Sequence, residues 1–226
     1  MNTEQVKKEI CEIGHRLWQL GFVAANDGNI SVKIADDRFL ITPTGISKGF
    51  LTPEMIIEIN AAGEVTDGNE KYRPSSEIPM HLRCFQDRPD IGAVVHAHPP
   101  VATGFAVAHL PMDDYLMPEA IVHLGSVPLG KFGAPLSEDT KEAVAEYLDE
   151  HDAILLRNHG AVTVGEDLVT AYYKMETLEH TAKIALAAKL LGGAKELSRE
   201  EIEECLEARR KFKLGGRHPG YKKYKK

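Results

Sequence analysis

The strongest constraint on this chain is an interleaving of short apolar, β-rich runs with segments of helical period. From Thr3 to Leu20, apolar residues recur at Val6, Ile10, Ile13, Leu17 and Leu20, one face of an amphipathic helix that Gly21 ends. Residues 28–34 then alternate with period 2, and the apolar pattern resumes at Arg38 to Thr42 after Asp36-Asp37, which reads as a hairpin. A short strand is expected at Ile56 to Asn60, followed by a polar loop to Pro74 with room for one more strand. Ser75 or Ser76 is placed to cap a helix running to about Asp87, with Pro79 in its first turn. Ile91 to Ala97 reads as a buried strand, residues 99–109 as a short helix, and Val127 to Leu129 as a small strand. Ser137 is expected to cap a helix through Glu150, ahead of strands at Ala153 to Arg157 and Ala161 to Val164. Helices at Glu166 to Leu191 and from Ser198 to about Lys211 complete the pattern. Strands clustered with helices between and around them predict an α/β or α+β layered domain with a largely antiparallel sheet.

Composition narrows the function classes. The 226 residues are 43% hydrophobic and 27% charged, as in one compact soluble domain or two small ones. Apolar runs such as Ile184 to Ala188 fall far short of the roughly 20 residues a bilayer demands, so no membrane partner is expected. The opening MNTEQVKKEI lacks the apolar stretch of a secretory leader, which makes the cytoplasm the expected location. Cys11, Cys84 and Cys205 are odd in number and far apart, an argument against a disulfide framework and against thiolate zinc. The net charge of -7 hides an asymmetry: residues 209–226 hold nine of the 27 Lys and Arg and no acid. The remaining body is strongly acidic and repels nucleic acid, while the tail reads either as a solvated terminus or as a cover for an anionic ligand.

Chemistry concentrates in a few segments. In Val94-Val95-His96-Ala97-His98-Pro99, residues i and i+2 of a strand point to one face, so His96 and His98 can turn their imidazoles toward one ion. Alone, such a pair is more often a surface or core feature than a metal site. His159, in Asn158-His159-Gly160 at the end of an apolar strand, stands where site residues often sit. Pro74-Ser75-Ser76-Glu77 offers hydroxyls and free backbone N–H groups at a helix start, an arrangement suited to phosphate, although Glu77 there also suits plain capping. Asp27-Gly28-Asn29 and Thr42-Pro43-Thr44-Gly45 are turns by default, or loops whose glycines let backbone approach a ligand.

Taken in order, GNISV, ITPTG, PSSE, VVHAHP and NHG resemble the class II aldolase/adducin family, most closely its L-fuculose-1-phosphate aldolase type, from Val6 to about Lys213. The resemblance implies a three-layer α/β/α domain over residues 1–213, with a central, mainly antiparallel sheet, and a mobile basic tail over 214–226. It implies that His96, His98, His159 and Glu77 hold Zn2+, with Co2+ or Mn2+ as alternatives, and that Glu77 is the acid/base when substrate displaces it. Gly28, Asn29, Thr44, Gly45, Ser75 and Ser76 would bind phosphate. The implied reaction is cleavage of a ketose 1-phosphate to dihydroxyacetone phosphate and an aldehyde, through an enediolate stabilised by the metal. Tyr115 is the expected second acid/base, with Tyr221 or Tyr224 as looser candidates. Homotetramers with sites between subunits are expected from the family. Epimerase relatives usually carry Asp at Glu77 and Lys at Thr42, so epimerisation is disfavoured; Glu119, about 20 residues after the histidine pair, keeps dehydration or decarboxylation open. Residues 133–137 (GAPLS) depart from the Pro-Gly-Thr of many aldolases, which points to a different sugar pocket. A non-catalytic, adducin-like relative is the third reading, and the retained histidines weigh against it.

Overall fold

A computed structural model of the chain describes residues 2–134 and 139–220. In chain order the elements are α1 (Thr3–Gln19), β1 (Asn29–Ala35), β2 (Arg38–Ile41), β3 (Ile57–Ile59), β4 (Val65–Asp67), α2 (Ile78–Asp87), β5 (Ala93–Ala97), α3 (Pro100–Val107) and α4 (Pro118–His123). There follow β6 (Leu129–Gly130), α5 (Asp139–Ala145), β7 (Ala153–Leu156), β8 (Gly160–Gly165), α6 (Leu168–Leu190) and α7 (Arg199–Lys211). The strands form one sheet in the order β4-β3-β2-β1-β5-β8-β7-β6, antiparallel throughout except for the β6–β7 pair.

The alternation of strand side chains splits the core into two layers. Val95, Ala97, Leu155 and Ala161 face one side and pack with Ile10 and Leu17 of α1, Phe105 of α3, and Met175 and Leu178 of α6. Val94, Ile154, Val162 and Val164 face the other side, with Met80 and Phe85 of α2 and Val144 of α5. Helices therefore cover both faces, the expected three-layer arrangement, and β5 and β8 are buried along their whole lengths. Among the described residues no helix is long and apolar enough to cross a membrane.

Several local expectations are corrected. Neither Ser75 nor Ser76 is the N-cap of α2; Glu77 holds that position and the helix begins at Ile78. The reason is loop pairing upstream: Pro43 and Pro74 form an antiparallel bridge and Ser75 donates its N–H to the Thr42 carbonyl, so Ser75 is held in the paired loop, and a turn through Ser76 and Glu77, closed by the Ile78 N–H on the Ser75 carbonyl, leads into the helix. α4 was not anticipated, because six residues opened by Pro118 are too few to show a helical period. α5 ends at Ala145, short of Glu150, and Ser137, the expected cap, lies outside the described residues. By contrast, Ser198 caps α7 in a reciprocal pair with Glu201.

Residues 214–220, the start of the basic tail, lie against the domain. The buried Arg209 guanidinium donates to the carbonyls of Val122 (2.8 Å) and Gly215. Asp152, held by Arg88 and Lys174, accepts from the Arg217 N–H at 3.0 Å. Tyr221 and Tyr224 lie outside the described residues.

Candidate active site

Sheet register explains why residues far apart in sequence meet. β5 pairs with β1 on one side, setting Asn29 opposite His96, and with β8 on the other, setting Ala97 opposite Ala161. The tight β7–β8 hairpin pairs Leu156 with Gly160, so His159 emerges beside the end of β5, where His98 follows the strand. Gly160 is needed there: a Cβ would come within 2.5 Å of the Ala97 carbonyl oxygen and 2.6 Å of the His98 ring. Gly28 is needed for a similar reason, with a left-handed φ of +70° and a Cβ position 2.9 Å from the His96 carbonyl oxygen. The helix start then brings Glu77 over the three rings.

The result is one compact cluster. The ring centroids of His96, His98 and His159 lie 4.8–5.0 Å apart. His96 Nε2 is 3.1 Å from His98 Nε2 and 3.4 Å from Glu77 Oε2, and His159 Nε2 is 3.5 Å from Glu77 Oε1. Four ligands on one tetrahedral zinc, at bonds of about 2.0–2.1 Å, sit about 3.3 Å from each other. Proton positions favour a cation too. His96 Nδ1 donates to the Ala161 carbonyl at 3.0 Å, which leaves a lone pair on Nε2; His98 Nδ1 faces Asp27 Oδ2 at 3.5 Å, which does the same for its Nε2. Two lone pairs thus face each other at 3.1 Å. Glu77 Oε1 is buried without a hydrogen-bond partner. An electron-rich cage with an orphaned carboxylate oxygen fits a divalent metal and fits little else.

Burial pushes the His96 pKa down to about 3, with Glu77 opposing, and lowers that of His98, so both rings are neutral near pH 7 and able to ligate. For Glu77, burial raises the pKa, but His96, the Asn29 hydrogen bond and His159 together outweigh it and carry the pKa down to about 2. Glu77 is therefore a carboxylate.

The three loops expected to hold phosphate are also neighbours. Thr44 N–H donates to the Arg73 carbonyl at 2.9 Å, tying the Thr44-Gly45 turn to the segment that carries Ser75 and Ser76. Lys48, only 1% exposed, donates from Nζ to the carbonyls of Asn26 (2.9 Å) and Ile46 (2.6 Å), tying the Gly28-Asn29 loop to the Thr44-Gly45 loop. Burial lowers its pKa to about 8. Tyr115 is placed elsewhere: it is buried with Ile121 and Ile202, and its hydroxyl donates to the Gly220 carbonyl at 2.6 Å. Glu119 lies in the first turn of α4 and lines a cleft of about 460 Å³ with Phe22, His123 and His180.

Two residues escaped the sequence reading. Lys48 gave no signal, since one lysine in a turn reads as surface. His81 did give one: four residues after Glu77, it shares that residue's helical face. It is 1% exposed and joins a polar chain behind Asn29.

A three-layer domain with a histidine and carboxylate cage beside glycine- and hydroxyl-rich loops defines the class: residues 8–186 match the model of the Class II Aldolase and Adducin N-terminal domain, and the chain belongs to that family. Within it, the chain is 35% identical over 177 residues to an L-fuculose phosphate aldolase of Methanococcus vannielii, covering 78% of this chain and 93% of that one. It is 32% identical over 185 residues to a 3-oxo-tetronate 4-phosphate decarboxylase of Escherichia coli, covering 80% and 86%. The solved structure of an L-fuculose 1-phosphate aldolase superposes with a TM-score of 0.84 at 30% identity, covering 93% of this chain and 97% of its own.

Proposed function

We propose that the chain is a zinc-dependent aldolase that cleaves a ketose 1-phosphate, of the L-fuculose 1-phosphate type, to dihydroxyacetone phosphate and an aldehyde. The observation that supports this most is the convergence of His96, His98, His159 and Glu77 at separations suited to one tetrahedral ion. When bound, the metal supplies Lewis acidity where negative charge develops on the C2 and C3 oxygens of the substrate. Gly28, Asn29, Thr44, Gly45, Ser75 and Ser76 hold the phosphate. Glu77 delivers the proton that C3 needs after the C3–C4 bond breaks, and takes it in the reverse direction. A second group must remove the C4 hydroxyl proton as that oxygen becomes the aldehyde. Tyr115 is the candidate; it would first have to release the Gly220 carbonyl, and Tyr115→Phe tests the assignment by its turnover. Cytoplasmic homotetramers with sites between subunits are part of the same reading, and zinc is preferred because three imidazoles and a carboxylate suit it.

The decarboxylase relative favours a second reading with the same core chemistry. A 3-oxo-tetronate 4-phosphate that loses its carboxyl group leaves a three-carbon ketone with one phosphate, which is again dihydroxyacetone phosphate. The two reactions share one product and differ in the other. The test is therefore a coupled assay for dihydroxyacetone phosphate across a panel of ketose 1-phosphates and the phosphorylated 3-oxo acid, with the co-product identified. Aldehyde from a ketose supports the aldolase. Carbon dioxide from the oxo acid, with no product from any ketose, replaces it with the decarboxylase.

A further inference from the structure

Behind Glu77 runs a chain of buried polar groups. Asn29 Nδ2 donates to Glu77 Oε2 at 2.6 Å, the Asn29 Oδ1 meets His81 Nε2, and His81 Nδ1 meets Ser31 Oγ at 2.6 Å. Asn29 is 4% exposed, and Ser31 and His81 are each 1% exposed, so water does not complete these bonds.

The proton positions along the chain follow from one fixed end. The Glu77 carboxylate only accepts, so the Asn29 NH2 must face it, and the Asn29 oxygen must face His81. His81 must then donate from Nε2. Its ring is neutral, since burial lowers its pKa to about 4 against the pull of Glu77, so its Nδ1 is an acceptor. Ser31 must therefore donate its hydroxyl proton to Nδ1. Every group has one consistent role. If the Asn29 amide turned over, its oxygen would face the carboxylate and its NH2 would face an N–H.

We propose that His81, with its tautomer set by Ser31, is a positioning residue that locks the Asn29 amide and, through it, the orientation of the Glu77 carboxylate toward the metal and the reacting carbon. The fold supplies the anchor: β1 carries both Ser31 and Asn29, and α2 carries His81 one turn beyond Glu77, so strand and helix are held together through the very groups that aim the carboxylate. This inference rests on the reading of Glu77 as metal ligand and proton carrier.

The test uses the full chain loaded with Co2+, whose visible spectrum reports the ligand geometry, together with turnover, metal content and thermal melting. His81→Phe keeps an aromatic ring and removes both nitrogens. It is expected to bind one metal per chain, alter the cobalt spectrum and lower kcat by about 10- to 100-fold, the range for groups that orient metal ligands. Ser31→Ala, which deletes one hydroxyl, keeps the inference testable if His81→Phe does not fold, and should shift the spectrum in the same direction by a smaller amount. In an Asn29→Ala background, His81→Phe should cost no further turnover, because its effect passes through Asn29; a purely structural role would cost as much in either background. Folded variants with wild-type spectrum and kcat, or full additivity in the double variant, would overturn the inference. If Glu77→Gln itself leaves spectrum and turnover unchanged, the underlying reading of Glu77 fails; if only the His81 variants do, the inference alone fails.

Discussion

Gly160→Ala tests the account at a position that carries no functional group. The backbone of Gly160 lies outside the left-handed region, so alanine is tolerated by φ, and any effect must come from the added methyl. That methyl would lie 2.5 Å from the Ala97 carbonyl oxygen and 2.6 Å from the His98 ring. An ordinary carbon–carbon contact is about 3.5–4.0 Å, so the ring or the end of β5 must retreat by roughly 1 Å. Overpacking of this kind costs about 1–3 kcal/mol, and each kcal/mol lowers Tm by about 2–4 °C in a chain of this size. The functional cost should be larger, because a misplacement of about 1 Å at a reacting site costs on the order of 100-fold. Gly160→Ala is thus expected to fold, melt a few degrees lower, bind zinc more weakly and lose most turnover, although every proposed ligand is still present. Thermal melting, zinc titration and the coupled assay measure the three effects. A variant with wild-type zinc affinity and turnover would show that the hairpin does not fix His98, and the geometric reasoning would fall.

Other expectations follow from the same cage. His96→Ala removes a fully buried, proposed metal ligand and should abolish stoichiometric zinc; full occupancy by metal analysis would contradict the ligand assignment. Glu77→Gln should retain metal on the three imidazoles and lose about 100-fold or more in turnover; undiminished turnover would move the proton transfer elsewhere. The metal-free chain should lose stability on acidification. Burial depresses the folded pKa of His81 and His96 to about 4 and 3, and lowers that of His98, so the unfolded chain binds more protons below its histidine pKa of about 6.5. Stability from these groups is present above that value and lost as pH falls toward the folded values. Denaturation midpoints of the metal-free protein should therefore drop from pH 7 to pH 4.5, and a flat profile would mean that the rings are hydrated.

Much of this was legible in the sequence where one residue type answers one local demand. The period-2 run at residues 28–34 and the helical face of α1 are local patterns, and both appear as read. The i, i+2 spacing of His96 and His98 pointed to a shared ion only weakly by itself, and His98 falls just beyond the end of β5. Joining them to His159 and Glu77 took the resemblance, because no local pattern tells that β5 lies between β1 and β8. The start of α2 was misplaced for the same reason: the Pro43–Pro74 bridge is a contact between distant segments. Lys48 was illegible because its burial depends on two loops closing over it. The charge asymmetry also changes meaning. Under the proposed function, positive charge for the phosphate would have to come from the metal and the start of α2 rather than from overall composition.

The proposed lyase chemistry runs on one metal held by three histidines and Glu77. Its most direct measurement is turnover against bound zinc, starting from chelated protein and using a ketose 1-phosphate that the loaded enzyme cleaves. No dihydroxyacetone phosphate is expected from the stripped chain, and turnover should rise linearly and stop at one zinc per chain. Release of dihydroxyacetone phosphate at full rate from metal-free protein would contradict the proposal.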